Sequence, residues 1–204
     1  MLESVSTDES KLQGHLRVMA PTTLTMLFLG ESLCRFLGRH DGITLALALV
    51  DLSTNPAEQG FDVAISGRSA SYEGVVDIPL CPVDAVVCAA PGYLSARGSP
   101  AHPREWVDHS CLCFKPSGAS WQFQSNRGAI AVDLRPRLLA DDNRTLLGAA
   151  VAGLGIAVLP AYVAQQALDD GSLQRVLPSY ALQETWFLAH VPKRRQAWRV
   201  SRPW

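Results

Sequence analysis

Short apolar runs that stop at small polar loops and hand over to helix-like segments constrain this chain more than any other feature. Gly60-Phe61-Asp62-Val63-Ala64-Ile65-Ser66-Gly67-Arg68 shows the pattern clearly, with a strand-like run ending in a flexible, cationic loop. Leu16-Arg17-Val18-Met19-Ala20 runs into Pro21-Thr22-Thr23 in the same way. Strands and helices alternating in this order build a parallel or mixed α/β sheet. Their loops then gather at the carboxyl edge, which is where open α/β sheets bind ligands.

The alternation continues along the chain. Residues 16–20 predict a strand stopped by Pro21, and Thr22 or Thr23 is placed to cap a helix that reaches about Arg39. Strands are predicted over 43–50, 62–65, 75–80 and 84–90, the last closed by a turn at Pro91-Gly92-Tyr93. A short helix over 104–108 precedes strands over 111–114, 121–123, 130–132 and 135–140. Asp141-Asp142-Asn143 caps a helix over 144–152, which Gly153 closes. A strand over 156–159, a helix over 161–168 and strands over 173–177 and 185–191 complete the pattern. Two β-α series result, with a boundary near residues 81–84.

Composition excludes several classes. With 204 residues and 48% hydrophobic content the chain can bury a core, and 18% charge is low for a disordered protein. A net charge of −1 argues against duplex binding by this chain itself, which needs a basic face. No apolar run reaches the roughly 18 residues of a membrane span. The start, Met1-Leu2-Glu3-Ser4-Val5-Ser6-Thr7-Asp8-Glu9-Ser10, is acidic and polar, unlike an export signal, so a cytoplasmic location is expected. The five cysteines lie in apolar stretches and read as buried structural thiols. No metal-ligand spacing accompanies Cys111-Leu112-Cys113, and no metal or cofactor is expected.

Four loops are candidates for ligand contact. Thr22, Thr23 and Thr25 sit where a strand becomes a helix, and there amides, helix dipole and hydroxyls favour an anion. Plain capping explains the same residues. Ser66-Gly67-Arg68 offers backbone access and a bidentate cation, or a solvated loop. Lys115-Pro116-Ser117-Gly118 is a similar loop in the second half, or an ordinary turn. Asn143-Arg144-Thr145 opens a helix and could face the threonines across a cleft. Gly153-Leu154-Gly155 follows a helix and opens a strand, the reverse of a dinucleotide loop, and reads as a helix terminator. The five histidines are scattered and suggest no catalytic constellation.

The ordered series of segments resembles one family. Gly14-x-Leu16-Arg17-Val18-x-Ala20-Pro21 is similar to the start of the effector-binding domain of LysR-type transcriptional regulators. Gly60 to Ile65 resembles that family's next signature. Ala90-Pro91-x-Tyr93-Leu94, Gly98-x-Pro100, His109-x-Cys111-Leu112 and Ala149 to Pro160 continue it. The resemblance runs from about Gly14 to Ala197.

It implies two Rossmann-like subdomains with a ligand cleft between them, similar to type 2 periplasmic binding proteins. The implied division is a linker end over 1–13, subdomain I over 14–82, subdomain II over 83–184, and a crossover strand with the C-terminal segment over 185–204. It implies an effector contacted by Thr22, Thr23, Thr25, Ser66, Gly67, Arg68, Lys115 and Ser117. It also implies a homodimer that becomes a tetramer in the full-length protein, with DNA bound only through an N-terminal winged helix-turn-helix that this chain lacks. The hydroxyls with Arg68 and Lys115 point to a small anion. The leading expectation is therefore a sensor rather than an enzyme. A solute-binding protein for transport is the alternative that shares the fold.

Overall fold

The computed structural model describes residues 12–51, 55–67, 72–125 and 128–193. In chain order the first strands are β1 (Gly14–Ala20), β2 (Ile43–Leu49), β3 (Val63–Ser66), β4 (Val75–Val83), β5 (Ala85–Ala89) and β6 (Cys111–Phe114). They are followed by β7 (Ser120–Ser125), β8 (Gly128–Asp133), β9 (Pro136–Ala140), β10 (Ile156–Pro160), β11 (Gln174–Arg175), β12 (Ala181–Leu182) and β13 (Thr185–Pro192).

These strands form two five-stranded sheets, ordered β2-β1-β3-β13-β4 and β11-β5-β10-β6-β9, and a small β12-β7-β8 sheet. In the first sheet β1 runs parallel to β2 and β3, while β13 is antiparallel to β3 and β4. In the second, β10 runs parallel to β6 and β6 to β9, with β5 antiparallel to β10. The chain passes from the first sheet to the second where β4 meets β5, and returns through Gln183 and Glu184 into β13.

Helices connect the parallel strands. After β1, Thr22–Leu24, the π-helical Thr25–Leu29 and Gly30–Leu37 run on without a break. The π turn is closed by the Gly30 N–H donating to the Thr25 carbonyl. Glycine is suited to that closure, since a Cβ at position 30 would lie 2.9 Å from the same oxygen. In the second half the helices Pro91–Arg97, Asn143–Val151 and Ala161–Asp169 flank the sheet.

Two differences from the sequence reading have clear causes. Pro91-Gly92-Tyr93 opens a helix instead of a turn, because proline at the first helical position gives up only an unneeded donor. Pro56–Gln59 is a further helical turn, started by the Asn55 side chain accepting from the Ala57 N–H at 3.0 Å. Three cysteines, Cys88, Cys111 and Cys113, are buried, but Cys34 and Cys81 are exposed. Residues 1–11, which include the acidic start, and residues 194–204 lie outside the described residues.

The principal core lies in the second half. Trp106, Phe123, Leu146 and Ile156 are buried almost completely there, and the Trp106 and Phe123 rings meet edge to face at 5.9 Å. Gly153 takes φ 73° to end its helix, and any side chain at Gly155 would strike the Ser110 carbonyl. That glycine pair is therefore a terminator followed by a close backbone approach.

Candidate functional site

The carboxyl ends of β1, β2 and β3 converge on a cavity of about 150 Å³. Met19, Pro21, Val50, Asp51, Ser66 and Gly67 form its wall on the first sheet. Phe114, Ser117, Trp121, Asn143, Val158 and Tyr162 form the facing wall from the second half. Val83, Ala85, Gln183 and Thr185 close it where the chain crosses between the sheets.

The expected contact residues divide into three groups. Ser66, Gly67 and Ser117 line the cavity. Ser66 is the last residue of β3, and Gly67 packs so closely on Phe187 that a Cβ would lie 3.1 Å from that ring. Thr22, Thr23, Thr25 and Lys115 are not among the described residues that line it. Lys115 is exposed, and Arg68 lies outside the described residues.

The threonines do a different job from the expected capping. Pro21 occupies the N-cap position and supplies no side-chain acceptor. The Thr22 N–H donates instead to Asp51 Oδ1 at 3.2 Å. The carboxylate at the end of β2 thus takes the place at the helix start that an outside anion would use. Thr23 and Thr25 are buried behind it, and Thr25 Oγ1 has no partner among the described residues.

Several cavity residues were not singled out from the sequence. Asp51 and Tyr162 each follow a strand end, the same signal that marked Ser66, but in less distinctive surroundings. Burial pushes the Asp51 carboxyl above its ordinary value; the Thr22 hydrogen bonds oppose this, and Asp142 and Asp141 add to the rise. Tyr162 is pushed up to about 12, chiefly by burial and then by the negative charges of Asp51 and Cys81.

His190 is buried between two partners. Its Nε2 lies 2.8 Å from Ser66 Oγ, and its Nδ1 lies 2.6 Å from Asp77 Oδ1. The pairing of β13 with Ala64 on β3 and Asp77 on β4 puts the ring and carboxylate on one face of the sheet. Tyr72 covers the imidazole edge to face at 5.6 Å. This relay fixes the Ser66 hydroxyl at the cavity wall. No sequence signal marks it, because the Ser66–His190 contact spans 124 residues.

Residues 9–202 match the family model described as the LysR substrate binding domain. The chain belongs to that family. A probable HTH-type transcriptional regulator of Klebsiella pneumoniae, LtrA, is 27% identical over 207 residues, covering 96% of this chain and 67% of the relative. The HTH-type regulator YhjC of Escherichia coli K12 is 29% identical, covering 93% of this chain and 64% of the relative. The chain thus spans about two thirds of the length of these curated relatives. The solved regulatory domain of CrgA from Neisseria meningitidis superposes with a TM-score of 0.76 at 23% identity, covering 93% of each chain. Full-length AphB of Vibrio cholerae gives 0.77 at 24% identity, covering 91% of this chain and 64% of AphB. The LysR substrate-binding domain here has the two-subdomain, periplasmic-binding-protein-like fold of those neighbours.

Proposed function

We propose that this LysR substrate-binding domain holds a small-molecule effector in the cavity between its sheets and passes the binding event to a DNA-binding domain of the parent regulator. One observation carries the reading: a single cavity takes its walls from both sheets and from both connections between them. A ligand there touches both halves at once. If it prefers one arrangement of the halves, it shifts their equilibrium, with a coupling of about 1–3 kcal/mol. The proposed division is a linker end over 1–13, subdomain I over 14–82, subdomain II over 83–184 and a crossover strand with the C-terminal segment over 185–204; the two sheets and the chain crossings near 83–84 and 183–184 support its inner boundaries.

Ser66, Gly67 and Ser117 are the proposed contacts. Arg68 follows Gly67 in sequence, Lys115 follows the cavity residue Phe114, and Thr22, Thr23 and Thr25 order the helix start behind Asp51. The Ser66–His190–Asp77 relay serves to orient the hydroxyl, and the domain senses rather than catalyses. The proposed assembly is a homodimer, tetrameric in the full-length regulator, acting in the cytoplasm. Exposed Leu47 and Leu49 on the edge strand β2, and exposed Leu139 on the edge strand β9, support pairing of copies. Among the described residues no helix is long and apolar enough to cross a membrane.

A thermal-shift screen of small organic molecules tests the proposal when repeated on Ala85→Phe, which fills the cavity with a ring. Hits should raise the melting temperature of the wild type and leave the variant unmoved. Hits that stabilise both proteins equally would place binding elsewhere.

A further inference from the structure

The cavity combines a carboxylate lacking a cationic partner with an aromatic surround. Asp51 lines it, half-buried, at the end of β2. Its hydrogen bonds come from Thr22, and no cation forms an ion pair with it among the described residues. Withdrawing a carboxylate from water is unfavourable; the positive helix start at Thr22 offsets part of that cost, and a cation brought beside Asp51 relieves more. From the second half, Asp141 and Asp142 at the start of the helix Asn143–Val151 add negative charge felt by Asp51, with Arg144 beside Asp142 offsetting part of it.

The remaining surface suits an organic cation. Tyr72, Phe114, Trp121, Tyr162 and Phe187 all line the cavity, and the Tyr162 and Phe187 rings stand 6.3 Å apart. Aromatic faces carry negative potential and attract ammonium groups, most strongly where water is excluded. Burial first and Asp51 second hold the Tyr162 hydroxyl in its neutral form, so it adds no charge of its own near neutral pH. A volume of about 150 Å³ suits one ring or a short branched chain.

We propose that the effector is a small organic ammonium ion on an apolar skeleton, its charge at Asp51 and its body against the aromatic walls. This assignment rests on the sensing function proposed above and fixes its ligand class. It departs from the small anion expected from Arg68 and Lys115. Lys115 is not among the described residues that line the cavity, and an anion beside Asp51 would meet like charge from both halves.

Calorimetry with benzylamine, benzyl alcohol and benzoate, which share one skeleton, tests the charge preference directly. Benzylamine should bind about tenfold tighter than benzyl alcohol, the size of one charge-assisted hydrogen bond, and benzoate should bind least. Asp51→Asn should bring benzylamine to within about threefold of the alcohol while the alcohol keeps its affinity. The wild-type comparison stands by itself if that variant fails to fold. Benzoate bound as tightly as benzylamine, or an unchanged preference in Asp51→Asn, would overturn the assignment. Benzoate binding as tight as that of benzylamine and lost in Ala85→Phe would overturn the charge assignment and keep the cleft. A probe that still binds Ala85→Phe would remove the cleft as its site, and with it the sensing reading. Failure of all three probes to bind would count against the ligand class.

Discussion

The two halves of the chain bury their apolar residues in different ways. The largest core cluster draws all its fully buried members from between Val86 and Leu177. In the first half, Gly30–Leu37 contributes no buried residue, and Met26, Leu27 and Phe28 are exposed in the turns before it. β10 is buried at four successive positions, whereas β2 has none that is fully buried. The second half thus holds most of the buried core and serves as the anchor. The first sheet keeps its strand ends for the cavity and its outer faces for other contacts. A sensor gains from that asymmetry if a ligand shifts the less densely packed half against the firmly packed one.

Substitutions in each half separate their contributions to stability. Leu146→Ala removes a fully buried side chain from the anchor and should cost about 2–5 kcal/mol in urea unfolding. Met26→Ala, at an exposed site of the first half, should change the stability of the single chain by no more than about 0.5 kcal/mol. Similar losses from both would show that the halves share one core.

Asp142 should show an intermediate effect. Its Oδ1 accepts from the Thr145 N–H at 2.7 Å and from the Thr145 hydroxyl at 2.8 Å, starting the helix Asn143–Val151. Asp142→Ala should cost about 1 kcal/mol as a lost cap. Burial works to raise the Asp142 carboxyl, but the Thr145 hydrogen bonds and Arg144 outweigh it and hold the group below its ordinary value of 3.8. Its stabilisation is therefore complete above that value and lost as pH falls through the lower, folded-state one. The gap between wild type and variant should close on acidification.

Asp51 has the opposite sign. Its folded-state carboxyl is raised, mainly by burial, so the folded protein holds the proton more tightly than the unfolded chain. The wild type should lose stability as pH rises from the unfolded value of 3.8 through the raised one. Asp51→Asn should melt slightly above the wild type at neutral pH and match it below 3.8. Melting curves across pH check both carboxylates, and a wild-type advantage at neutral pH would contradict the reading of Asp51.

Much of the architecture was legible because local chemistry agreed with the global fold. Pro21, Pro160, Asp142 and Gly153 punctuate elements whose apolar runs are short and well bounded. Ser66 and Ser117 stood out because polar residues at strand ends are few and their loops are small. The relay through His190 and Asp77 was not legible, since sheet pairing across distant sequence creates it. The role of Asp51 was hidden for a related reason. Thr22 looked like a cap, and only the alignment of β2 beside β1 shows which carboxylate meets its N–H. The helix at Pro91–Arg97 was obscured by Pro91-Gly92, a pair that marks a turn as readily as a helix start.

Effector binding between the sheets is tested most directly by amide and indole resonances on the two walls. A hit from the thermal-shift screen, titrated into the isotopically labelled chain, should move the Gly67 amide and the Trp121 indole together along one saturation curve. Movement of one wall only, or saturation with both signals still, would contradict a cleft that reads its ligand with both halves.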